Sequence, residues 1–122
     1  MSNWNSTYAL QLYGDNEYIV KNCKLSGCNA GLLVNGSKVT LEGTIDVSGN
    51  KFGGIEVGVG SGLTSAELNL GTARLINTTE THNQPTIWTD GETAELVGGS
   101  LYSNPNVKEG MVYYYLNESN AN

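Results

Sequence analysis

Along this chain, short runs of alternating apolar and polar residues return at a nearly fixed interval, and that repetition limits the fold more than any other feature. Taking the first inward residue of each run as Leu10, Leu32, Ile55, Ile87 and Val112, the spacings are 22, 23, 32 and 25 residues. A second run follows each of the first four, at Tyr18-Ile19-Val20, Val39-Thr40-Leu41, Ala66-Glu67-Leu68 and Ala94-Glu95-Leu96. A third apolar position comes a few residues later, at Leu25, Ile45 with Val47, Leu75 and Leu101. Alternation of period two describes strands with one face inward and one in solvent. A unit this short cannot bury its own apolar face, so successive units must stack.

Composition agrees with strands and turns. Among 122 residues, 16 are Gly and 15 are Asn, types that favour turns over helix interiors. The expected architecture is all-β: a right-handed single-stranded parallel β-helix, a solenoid of about four coils plus a partial fifth, with three short strands per coil. A leucine-rich repeat competes, but it requires a helical or 3₁₀ return, and the returns here are strand-like. Asn50, Asn77 and Asn104 follow the third strand of successive units at intervals of 27 and 27, which suggests an inward asparagine ladder with Cys28 in the first place. The 32-residue unit carries two insertions, Val59–Ser65 and Thr78–Gln84.

Charge narrows the partners. Six basic residues against twelve acidic ones give −6, which disfavours nucleic acid and anionic lipid. No apolar run is long enough to insert in a membrane. Cys23 and Cys28 form neither a disulfide framework nor a four-ligand zinc site, and no metal or other cofactor is expected. The segment before Tyr8, with Trp4, has neither the basic start nor the apolar stretch of a signal peptide. The whole of 1–122 reads as one domain, an excerpt from a longer chain, whose ends invite end-to-end self-association or flanking domains.

The outward positions of the first sheet form two columns. One is Gln11, Leu33, Glu56, Trp88 and Tyr113, and the other is Tyr13, Asn35, Gly58, Asp90 and Tyr115. Aromatic rings stack on the apolar faces of sugars, while carboxylates and amides take hydroxyls. Glu56, Trp88, Asp90, Tyr113 and Tyr115 are therefore the candidate carbohydrate-binding residues. Catalysis has less support. Glycoside hydrolysis needs two carboxylates roughly 5 to 9.5 Å apart, and only Glu56 and Asp90 are near each other on that face. Arg74 falls elsewhere, and His82 is a lone loop histidine.

The runs Val39–Asn50 and Phe52–Val57, with Pro85–Trp88 and Val112–Asn117, resemble right-handed parallel β-helix, pectate-lyase-like regions of Gram-positive bacterial surface proteins. That resemblance implies an extracellular or cell-surface location. The calcium-ligating and catalytic residues of such lyases, or of polygalacturonases, have no counterpart here. The functional expectation is a non-catalytic structural or adhesive module that binds carbohydrate, such as a host or cell-wall glycan, on the first-sheet face. The alternative is a polysaccharide lyase, a glycoside hydrolase, or an accessory part of one.

Overall fold

The computed structural model describes residues 8–60, 62–90 and 93–122. Trp4, Ser61 of the first insertion and Gly91 lie outside the described residues. Among the described residues, eleven strands and one short helix follow one another: β1 (Tyr8–Tyr13), β2 (Glu17–Lys24), β3 (Ala30–Asn35), β4 (Lys38–Asp46), β5 (Gly53–Gly58), β6 (Ala66–Asn69), β7 (Arg74–Ile76), β8 (Ile87–Asp90), β9 (Ala94–Val97), β10 (Tyr102–Asn104), β11 (Met111–Tyr115) and α1 (Glu118–Ala121).

They assemble into two sheets. The first is mixed, with the order β1-β3-β5-β8-β11-β10; the second is parallel, with the order β2-β4-β6-β9 and β7 also paired to β4. Equivalent residues of successive units pair in parallel, with Leu10 beside Leu32, Leu32 beside Ile55 and Ile55 beside Ile87. Their side chains meet those of Val39, Leu41, Ile45 and Leu68 from the second sheet in one apolar core. Leu32, Val34, Val39, Ile45, Val47, Ile55, Val57, Leu68 and Ile87 are wholly buried there.

This is not the expected single-stranded β-helix of three strands per coil, for two physical reasons. First, the expected second and third strands of the first two units are continuous. A bulge between Lys21 and Cys23, where Asn22 (φ 48°) stands against Gly43 and Thr44 of β4, shifts the register without ending the pairing of β2 with β4. Asn22 Oδ1 accepts the Thr44 N–H at 2.8 Å. Gly43 opposite has φ +70°, and a Cβ there would fall 1.9 Å from Asn22 Oδ1, so only glycine fits. A bent sheet replaces two separate ones.

Second, the direction of the chain reverses at the end. β11 runs antiparallel to β8, with Tyr113 beside Trp88 and Tyr114 beside Ile87, and β10 runs antiparallel to β11. The fifth unit is therefore a reversed hairpin, and Val112 lies beside Thr89 instead of over Ile87.

The asparagines also differ from a ladder. Asn50 is buried and reaches back to the preceding turn, accepting the Cys28 N–H at 3.1 Å and donating to Leu25 O and Val47 O. Asn77 bonds with Thr86 Oγ1 and with Thr79. Asn104 donates to Ala121 O and accepts from Asn106 N–H. Asn50 thereby pairs turn groups that would otherwise be buried without partners, while Asn77 and Asn104 tie down their own turns.

Candidate binding face

The outer side of the mixed sheet keeps one expected column intact. Gln11, Leu33, Glu56, Trp88 and Tyr113 are successive register neighbours from β1 to β11. Reversal of β11 leaves Tyr113 in place, because it is the residue aligned with Trp88. The second column breaks for the same reason. Met111, not Tyr115, lies beside Asp90.

Tyr115 is carried to the other end of the strand and fully buried. Its hydroxyl donates to His82 O at 2.6 Å, and its ring stacks on the His82 ring with centroids 6.2 Å apart. Burial, then the neighbouring Tyr113 and Glu80, raise its hydroxyl to a pKa of about 12. Tyr115 is thus a structural residue with no face left for a ligand. His82 Nδ1 lies 2.8 Å from Asn120 O, so this nitrogen carries the proton and donates.

The second insertion is what covers Tyr115. Glu80, within it, gathers the end of the chain: its carboxylate accepts the N–H groups of Leu116 at 2.7 Å and Asn117 at 3.0 Å, the Asn120 side-chain amide at 2.9 Å, and the Thr86 hydroxyl. Nothing in the alternation pattern singles out Glu80, because its partners lie 36 to 40 residues away or within its own loop.

Glu56 and Asp90 do share a site. With Tyr8, Leu33, Asn35, Gly58, Val59 and Gly60, they line an open cleft of about 230 Å³. Glu56 is half-buried and Asp90 exposed. The Tyr8 hydroxyl donates to Glu56 Oε1. Burial of the phenol, that hydrogen bond and the carboxylate charge, in that order, push the Tyr8 pKa well above its ordinary value. By alternation Tyr8 would share the inward side of Leu10; its ring instead turns to the outer face, which sequence pattern alone could not indicate. Asn35 is held by its Oδ1, which accepts the Gly60 N–H at 2.7 Å. Glycine at position 58 keeps the cleft open, since a Cβ there would lie 3.3 Å from the Asp90 Cβ.

Trp88 stands beside Glu56 in register, but its ring leans away from the cleft over Gly53. A Cβ at position 53 would meet Trp88 Cζ3 at 2.7 Å. Tyr113 is the neighbour of Trp88 on the far side, half-buried and tilted 57° to the Tyr115 ring. The face therefore holds a carboxylate-lined cleft and, adjoining it, an aromatic pair.

Among the described residues, no Lys, Arg or His lines the cleft. Arg74 lies on β7 in the other sheet. Among the described residues, no three His, Cys, Asp or Glu side chains cluster as metal ligands, and no helix is long and apolar enough to cross a membrane.

Comparison with protein-family models, curated proteins and solved structures finds no match to this chain. With two sheets in place of the expected coil, the resemblance to pectate-lyase-like surface regions is not upheld. The bacterial, secreted, cell-surface and adhesin assignments drawn from it lose their support as well.

Proposed function

We propose that the chain is a non-catalytic binding module that takes a neutral saccharide in the Glu56–Asp90 cleft. The observation that carries this reading is the convergence of two carboxylates and the Asn35 amide on one open cleft beside Trp88. Carboxylate oxygens accept hydroxyl protons and the amide can donate as well as accept, while the indole, outside the cleft and adjoining it, offers an apolar surface to a second sugar ring that extends beyond it. An acidic polysaccharide fits poorly, because its carboxylates would meet Glu56 and Asp90 with no cation among the described lining residues to offset the repulsion.

Calorimetric titration with neutral and uronic oligosaccharides tests the reading. Saturable binding of a neutral glycan is expected, weakened at least about tenfold by Asp90→Ala and by Trp88→Ala, with uronic glycans inert. Absence of binding by any neutral glycan at millimolar concentration would remove the proposal.

One observation favours a second reading, namely that both carboxylates line the same cleft, as a glycoside hydrolase requires. Reducing sugar released from a bound neutral glycan, and lost in both Glu56→Gln and Asp90→Asn, would replace binding with hydrolysis.

A further inference from the structure

The two ends of the molecule are unlike. At one end β11, β10 and α1 close the mixed sheet with a reversed hairpin; at the other, β1 and β2 are the outermost strands of both sheets. Among the described residues nothing pairs with their outer edges. Unpaired parallel edges of this kind are templates for another chain.

The backbone shows which residues face that edge. The Lys38 N–H donates to Asn16 O at 2.9 Å, so even-numbered residues of β2 bond to β4 and the N–H and C=O groups of Glu17, Ile19 and Lys21 point away from it. Likewise the Gly14 N–H donates to Asn35 O at 3.0 Å, which leaves Ala9, Gln11 and Tyr13 facing outward along β1. The side chains of Glu17, Ile19 and Lys21 lie on the outer face, and Ile19 is 65% exposed, the most exposed large apolar side chain of those described. Beyond Lys21 the Asn22 bulge ends the regular edge.

We propose that two copies of this chain associate through this edge, β2 against β2 in antiparallel pairing about a two-fold axis at Ile19. The charges on the strand are complementary to themselves under that operation: Glu17 meets Lys21 of the second copy, Lys21 meets its Glu17, and the two Ile19 side chains meet on the axis. Inward, Tyr18 meets Val20, so the core continues across the junction. The same relation centred on Gln11 in β1 sets Leu10 against Leu12. An isologous contact of this kind closes as a dimer.

Head-to-tail stacking is disfavoured by the same residues. Glu17, Lys38, Glu67 and Glu95 form one register column in which Glu67 already stands beside Glu95, so placing β9 of one copy beside β2 of another in that register would add Glu17 as a third consecutive carboxylate. The reversed β11 offers no parallel partner for β1 either.

Sedimentation equilibrium of the full chain, with circular dichroism to confirm that each variant folds, tests the pairing. A reversible dimer of the 13.0 kDa chain is expected. Glu17→Lys and Lys21→Glu each set like charges across the axis twice and weaken the dimer at least about tenfold, while the double exchange E17K/K21E returns it to within about threefold. A monomer at every accessible concentration, indifference to the single changes, failure of the double exchange to restore, or open-ended assembly would each overturn the proposal.

Discussion

The Tyr8 hydroxyl reaches across β3 to donate to Glu56 Oε1, so a residue of the outermost strand holds a carboxylate that belongs to the third strand of the same sheet. The contact links 48 residues of sequence and fixes one wall of the cleft. Its chemistry also sets how the protein responds to alkali.

Tyr8 and Tyr115 both have hydroxyls held above their ordinary pKa of 10.0, first by burial. Folding then favours the protonated phenols, and the unfolded chain loses protons first as pH rises. Their contribution is full below pH 10.0 and declines above it, for Tyr115 through its folded value of about 12. The melting temperature is expected to fall steeply above about pH 10. Tyr8→Phe and Tyr115→Phe should each flatten that limb in a thermal scan against pH, and equal slopes in wild type and variants would contradict it.

Glu80 accepts two backbone N–H groups at the start of the C-terminal segment, so its removal leaves those donors without their charged partner. Hydrogen bonds to a charged group are worth about 1.5–3 kcal/mol. Glu80→Ala should open the segment from Met111 to Ala121 ahead of the rest of the protein. Hydrogen exchange reads this as faster exchange at Leu116 and Asn117 with little change at Leu32 or Ile55.

Gly58 does not require its glycine for backbone strain, since its φ is not among the positive values. Gly58→Ala narrows the cleft against Asp90 by one methyl group. The expected outcome is weaker saccharide binding, at least about threefold, with stability changed by no more than about 1 kcal/mol. Paired titration and urea unfolding separate the two effects.

Ile55 lies wholly within the core, while Ile19 stands on the outer edge. Ile55→Ala should cost about 2–5 kcal/mol in urea unfolding. In the monomer, Ile19→Ala should stay within about 0.5 kcal/mol. A comparable loss at both positions would mean that the edge is covered.

The repeated runs made the pairing of Leu10, Leu32, Ile55 and Ile87 legible, because each unit sets an inward apolar residue at the same place in its first run and the longer interval before Ile87 is taken up by loops. Strand direction was not legible. Period-two alternation reads the same forwards and backwards, so Met111–Tyr115 gave no sign that it turns against β8. Tyr113 survived that reversal by standing at the aligned position, whereas Tyr115, two residues on, moved from a presumed open face to a sealed one. The joining of the expected second and third strands was hidden in the same way. It depends on a left-handed Asn22 matched to Gly43, and either residue alone looks like an ordinary turn. In the cleft, Glu56 and Asp90 were visible as outward acids on adjacent strands, but Tyr8 was not, because its ring departs from the side its position dictates.

The reversed β11 decides where this protein can lengthen. A duplicated unit inserted between β4 and β5 would find parallel neighbours on both sides, the same environment that β3 and β4 already have. Appended beyond β11, the same unit would meet a strand of opposite direction and lose its register. Variation in length by tandem duplication is therefore excluded beyond β11, and the terminal hairpin is carried along unchanged.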